Sequence, residues 1–233
     1  MQRRELPAGW DRNLPSFTAD AKGIAGREAS GKVLNVLAQK IPWLLGGSAD
    51  LGPSNKTALT YAGAGNFQAD TPGGKNLHYG IREHAMGAIV NGLSLSKIRG
   101  YGSTFFIFSD YARPAIRLSA LMELPTIFIF THDAMGDGED GPTHQPVEHL
   151  ASFRAMPGLV TLRPGTLTKS LKRIGTSCNC ATSPRYWPCR GSRCRRWIAP
   201  NTRQPSASPK ERTSSLMLPT RIQSLSSSLP AAK

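Results

Sequence analysis

The sequence predicts an α/β fold, a parallel sheet with helices on both faces. Three observations carry this expectation. Helix-period and strand-like segments alternate with short links between residues 25 and 162, as in crossover units whose strands run parallel. The run PTIFIFT at 125–131 is continuously apolar, as in a strand buried on both faces. Chemistry-bearing residues follow three predicted strands: Asp50, the aromatic stretch at Phe105, and a loop that begins at His132. Open α/β sheets bind their ligands at these carboxyl ends.

Taken in order, residues 1–22 are polar, with Pro7, Gly9 and Pro15, and read as a linker or an arm lying on a surface. Within 25–41, Val33, Leu34, Leu37 and Ile41 recur at helical spacing before Pro42 ends the pattern. Residues 43–45 read as a short buried strand that breaks into GGSADLGPSN. Residues 52–76 hold seven Gly or Pro among small polar residues, which predicts loop. Small apolar residues at 84–95 predict a buried helix, with Glu83 in or just before its first turn. A β-branched and aromatic strand is expected over 101–108, a helix over 111–122 and the apolar strand over 125–131. A short helix at 147–153 and a strand at 159–162 complete the alternation.

At Arg163-Pro164-Gly165 the character of the chain changes. The formal charge of +14 is almost all downstream: residues 166–233 hold thirteen Lys or Arg against the single acid Glu211. That segment is rich in Ser, Arg, Pro and Cys, and such composition buries too little apolar surface to offset chain entropy. A disordered tail is the expectation. Its cysteines, Cys178, Cys180, Cys189 and Cys194, have no regular zinc spacing. The Arg clusters with Trp187 and Trp197 fit loose contact with nucleic acid, but no folded motif accompanies them, so nucleic acid is not the expected partner. No apolar run of membrane-spanning length occurs, and the N-terminus lacks the apolar core of a secretory signal. A cytoplasmic location follows as the default.

Two stretches hold the densest chemistry. In GIREHAMGAI (80–89), Glu83 and His84 open a helix; the plain reading is an acid complementing the helix dipole. In THDAMGDGEDGPTHQPVE (131–148), His132, Asp133, Asp137, Glu139, Asp140 and His144 crowd a Gly-rich loop. Carboxylate and imidazole both ligate divalent ions, but HExxH and EF-hand spacings are absent and no metal ligand is assigned. Phe105, Phe108 and Tyr111, taken alone, read as core.

Together, GGSADLGPSN (46–55), HYGIREHAMGAI (78–89), TFFIFSDYARPAIRLSAL (104–121) and THDAMGDGEDGPTHQPVEHLASFRAMPGL (131–159) resemble transketolase, through its pyrimidine-binding domain. The resemblance covers roughly residues 15–165 and gives the divisions 1–22 linker, 23–165 pyrimidine-binding domain and 166–233 tail. Deoxyxylulose-phosphate synthases and the β subunits of oxo-acid dehydrogenases share the fold but not the string GEDGPTHQP. Dihydroxyacetone synthase is similar across the same motifs and is the competing family. Gly136-Asp137-Gly138 looks like the start of the thiamine-diphosphate magnesium motif, but the asparagine that should follow falls in the tail, so that reading is rejected.

The resemblance implies roles residue by residue. Glu83 would hold N1′ of the aminopyrimidine of thiamine diphosphate and share its proton. Phe105, Phe108 and Tyr111 would form the pyrimidine's aromatic pocket, and Asp50 would match an acid at the cofactor and subunit interface. Arg27, Ser54 and His132 match sugar-phosphate contacts, Asp140 a reader of a substrate hydroxyl, and His144 a catalytic group near the reacting carbon. The implied activity moves a two-carbon ketol unit from a ketose phosphate to an aldose phosphate, in a homodimer. Mg2+ or Ca2+ would be held by the diphosphate-binding domain, whose motifs these 233 residues do not match. The expectation is therefore a transketolase fragment, inactive alone, with a frameshift near codon 165. The alternatives are a split enzyme whose diphosphate domain is a separate chain, and a non-catalytic remnant with a nucleic-acid-binding tail.

Overall fold

The computed structural model describes residues 6–17, 23–134 and 140–163, and the backbone of 194–198. The elements run α1 (Gly26–Lys40), β1 (Leu44–Ser48), α2 (Gly52–Asn55), β2 (Asn76–His78), α3 (Glu83–Leu95), β3 (Arg99–Phe105), α4 (Ser109–Leu121), β4 (Ile127–Thr131), a 3-10 turn at Pro142–His144, α5 (His149–Arg154), β5 (Leu159–Leu162) and β6 (Cys194–Ile198). The strands form one sheet in the order β2-β1-β3-β4-β6-β5, and every pairing is parallel.

The two faces are set by the two-residue period of the strands. In β4, Ile127 and Ile129 join the core beneath α1, with Val33, Leu34, Leu37 and Ala38. Phe128 and Phe130 point the other way, into the core of α3, α4 and α5, with Met86, Val90, Ile116 and Phe153. The apolar run is thus a central strand covered on both sides. β3 divides likewise. Tyr101 enters the α1 core, whereas a Cβ at Gly102 would lie 3.0 Å from Met86 of α3. The absent side chain lets α3 sit close to the sheet.

Three expectations shift. Residues 52–76 are not wholly loop: Pro53 lies in the first turn of the short helix α2, and β2 pairs with β1. The strand expected to reach Phe108 stops at Phe105, where the chain turns into α4. α4 also tolerates Pro114 in its interior. In the expected arm, Leu6, Trp10, Leu14 and Phe17 pack on the α1-side core. Residues 166–233, expected as a disordered tail, lie outside the described residues except for the backbone of β6.

Candidate functional site

β1, β3 and β4 end at Ser48, Phe105 and Thr131, so the segments after them emerge at one edge of the sheet. Two residues there hold left-handed backbone, Asp50 (φ 62°) and His132 (φ 55°). This conformation is costly for residues other than glycine and concentrates at functional sites.

Glu83 is the first residue of α3 and is only 6% exposed. Thr104 Oγ1, on the adjacent β3, donates to Glu83 Oε1 at 3.2 Å. No other hydrogen bond reaches the carboxylate among the described residues. Oε2 has no donor among the described residues but is not fully shielded, so a largely buried carboxylate is left with one oxygen free to meet a further polar group.

Next to Thr104, Phe105 begins an aromatic group. Its ring is stacked with Phe108 at 5.9 Å and 9°, and Phe108 lies 6.2 Å from Tyr111. The two histidines of the downstream loop join them. His132 lies over Phe105 at a centroid distance of 3.8 Å. His144, in the 3-10 turn, sets its ring edge-on to Phe108 at 5.2 Å and to Phe105 at 5.9 Å. The aromatic residues that could have been plain core therefore form a wall: Phe105 is buried, Phe108 half-buried and Tyr111 65% exposed.

Arg27, near the start of α1, reaches across the edge, and its Nη1 donates to His132 Nε2 at 2.9 Å. Its Nε is shielded and finds no acceptor among the described residues. Ser54 lies half-buried in α2, beside Asn55, whose Oδ1 accepts from Thr131 Oγ1 at 2.6 Å. Asp133 is tied to the end of β5 by Arg163 Nε at 2.6 Å.

The structure thus joins Glu83, Phe105, Phe108, Tyr111, His132, His144 and Arg27 through contacts of their own or of sequence neighbours. Asp50 and Asp140 are exposed and make no side-chain hydrogen bond or ion pair with this group among the described residues. Met135, Gly136, Asp137, Gly138 and Glu139 lie outside the described residues, as do the side chains of all four cysteines. Among the described residues, Asp110, Glu148 and His149 form a triple spaced for a metal ion. It lies at the starts of α4 and α5, and His149 Nε2 bonds Asp110 Oδ2 at 2.9 Å, tying α5 to α4.

Sequence reasoning missed Thr104, Asn55, Thr131 and the Asp133–Arg163 pair. Thr104 and Asn55 lie within the quoted stretches, but nothing in their spacing marks them as hydrogen-bond partners of residues many positions away.

The family description of the transketolase pyrimidine binding domain matches residues 22–172. A transketolase of Halalkalibacterium halodurans is 53% identical over 168 residues, which are 72% of this chain and 25% of that protein. A crystal structure of transketolase from Campylobacter jejuni superposes with a TM-score of 0.72 at 42% identity, covering 86% of this chain and 29% of the other. A split-gene transketolase described as an inactive β4 tetramer matches with a TM-score of 0.58 at 26% identity, over 82% of this chain and 57% of that one. The chain spans about a quarter of the length of the curated relative it matches. No helix among the described residues is long and apolar enough to cross a membrane. A parallel sheet wrapped on both faces, a buried glutamate behind an aromatic wall and these likenesses converge: the chain belongs to the transketolase family, through its pyrimidine-binding domain.

Proposed function

We propose that this domain supplies the aminopyrimidine half of a thiamine diphosphate site in a ketol-transferring enzyme, with Glu83 at its centre. The observation that carries this reading is the buried carboxylate, held by Thr104 Oγ1 alone among the described residues. An aminopyrimidine N1′ is the kind of partner it lacks, since a carboxyl group can share a proton with a ring nitrogen. Phe105, Phe108 and Tyr111 would hold the flat ring, with stacked aromatic faces and little polar demand. Thiamine diphosphate, when bound, supplies the carbon nucleophile that carries the two-carbon unit.

The chain's own residues then divide the remaining work. Glu83 holds or releases a proton at N1′. Arg27, with Ser54 and His132, anchors the phosphate of a sugar phosphate, for which a guanidinium and a hydroxyl are suited donors. Asp140 reads a substrate hydroxyl, and His144, edge-on to the aromatic wall, serves near the reacting carbon. Asp50, at the left-handed turn after β1, faces a subunit or domain neighbour. Mg2+ or Ca2+ would be held with the diphosphate by a different domain, from the same polypeptide or from a partner chain. A cytoplasmic homodimer is the working assembly. The transketolase names of the relatives favour this reading over a dihydroxyacetone synthase.

The chain alone is expected to transfer no ketol unit. The test is to titrate thiamine diphosphate and Mg2+ by calorimetry into the chain, into the separately produced diphosphate-binding domain of a relative, and into their mixture. Saturable binding appearing only in the mixture, and lost with Glu83→Ala, supports the reading. Binding equal with and without this chain would sink it. The abrupt change at residue 165 further supports a frameshift there. Resequencing that returns the same frame, with nothing family-like in the other two, removes that idea.

A further inference from the structure

Five hydrogen bonds run in one direction from the site into the sheet. Arg27 Nη1 can only donate, so His132 Nε2, 2.9 Å away, must accept. A neutral imidazole that accepts at Nε2 carries its proton on Nδ1, and this nitrogen lies 2.9 Å from Thr131 Oγ1. Thr131 in turn gives its own proton to Asn55 Oδ1 at 2.6 Å, across 76 positions of sequence. Asn55 Nδ2 then donates to Ser48 Oγ at 3.0 Å. Ser48 Oγ finally donates to the backbone carbonyl of Ser103 at 3.0 Å. Asn55 is fully buried, and Thr131, Ser48 and His132 are each no more than 6% exposed, so water does not readily replace these partners. The last acceptor is a carbonyl of central strand β3, which cannot turn round. Each earlier direction follows from it.

We propose that Ser48, Asn55 and Thr131 are positioning residues that lock His132 as the neutral Nδ1–H tautomer. Nε2 is thereby kept as the acceptor that aims the Arg27 guanidinium at the phosphate of the substrate. This rests on the reading of Arg27 as a phosphate anchor given above. The alternative Nε2–H tautomer would point a proton at a cation and release Arg27 from its place. His132 therefore acts on the phosphate through Arg27, and the charge that meets the anion belongs to Arg27 alone. Phe105, whose ring lies tilted at 36° against the imidazole with 3.8 Å between centroids, limits the ring's freedom to swing away from both partners. A second-layer partner that fixes a histidine's tautomer is a familiar device in metal sites; here the orienting chain ends in backbone.

The test uses the full chain labelled with 15N-histidine. Long-range proton–nitrogen spectra distinguish the two tautomers, and His132 is assigned by the signal lost in His132→Gln. The expected result is Nδ1–H in the native chain and in Thr131→Ser, with a shift to Nε2–H in Thr131→Val. Nε2–H in the native chain overturns the proposal, as does a Thr131→Val spectrum that stays unchanged. Should Thr131→Val fail to fold, the native and Thr131→Ser spectra still decide. Inorganic phosphate is titrated separately, following the Arg27 guanidinium signal. Affinity should fall about tenfold in Thr131→Val and stay within about twofold in Thr131→Ser. Nδ1–H with no phosphate binding by the native chain would uphold the relay and remove the phosphate anchor. Nε2–H with normal phosphate binding would do the reverse.

Discussion

At the scale of single residues, the proposed role and the stability of the fold pull against each other at Glu83. Its carboxylate is buried with one donor among the described residues, and such groups cost free energy that a neutral isostere does not. Glu83→Gln is therefore expected to raise unfolding stability by about 1 kcal/mol, read as a higher urea midpoint, while ketol transfer by the assembled enzyme is lost. A lower midpoint would mean that the carboxylate is better satisfied than its geometry indicates. Two tyrosines give a second test. Tyr79 donates to the carbonyl of Tyr101, and Tyr101 to that of Thr57. Burial pushes both phenols well above their ordinary value, for Tyr101 with a smaller push from Tyr79 and Tyr61. Because the folded chain keeps protons that the unfolded chain gives up, this stability is complete below about pH 10 and is lost as pH rises past it. The urea midpoint should fall steeply above about pH 10, and less steeply in Tyr79→Phe, although that variant starts lower by about 1 kcal/mol for its lost hydrogen bond. Equal slopes in the two proteins would refute the assignment.

At the scale of elements, the place of Glu83 depends on how closely α3 approaches β3. Gly102 lies against Met86, with 3.0 Å between a built Cβ and the methionine side chain. Gly102→Val should overpack this seam at a cost of about 1–3 kcal/mol and loosen the contact between Thr104 and Glu83. Gly92, on the exposed face of the same helix, meets nothing within 4 Å, so Gly92→Ala should stabilise by about 0.5–1 kcal/mol. Urea unfolding of the pair checks both signs, and two losses of equal size would contradict this account of the packing. Such elements were largely legible in the sequence, because α1, α3, α4 and β4 declare themselves by period and by apolar runs. Their ends were not. β3 stops at Phe105 because the next residues begin the wall and the turn into α4, whereas their aromatic character alone suggests more strand. β2 was invisible because three residues, Asn76–His78, carry no period and gain their structure only by pairing with β1. The site was legible through its motif strings, but the links between them are tertiary. No spacing rule brings Asn55 to Thr131 or Arg27 to His132.

At the scale of the whole molecule, the order β2-β1-β3-β4-β6-β5 separates the last two strands of the domain by a strand from far along the chain. β4 pairs with β6 at Ile129 and Phe130, and β5 pairs with β6 over its whole length. The sheet therefore closes around a segment from the compositionally distinct part of the sequence. Ending the chain at Gly165 would remove that strand together with most of the positive charge. It would leave β4 with an unpaired, apolar edge, and such edges recruit other chains. β5 would keep the packing of Leu162 on the α1-side core, that of Leu159 in the opposite core, and the ion pair of Arg163 with Asp133, which also steadies the loop that starts at His132. The truncated chain should consequently elute as oligomers in size-exclusion chromatography and unfold at lower urea than the full chain. Its aggregation should grow with a kosmotropic salt such as sulfate, because apolar association is strengthened and little net charge is left to oppose it. A monodisperse product with an unchanged midpoint would show that β6 contributes nothing to the folded state. The domain would then stand on its first five strands, with β5 held by the packing of Leu159 and Leu162 and by the Arg163–Asp133 pair instead of by a strand partner.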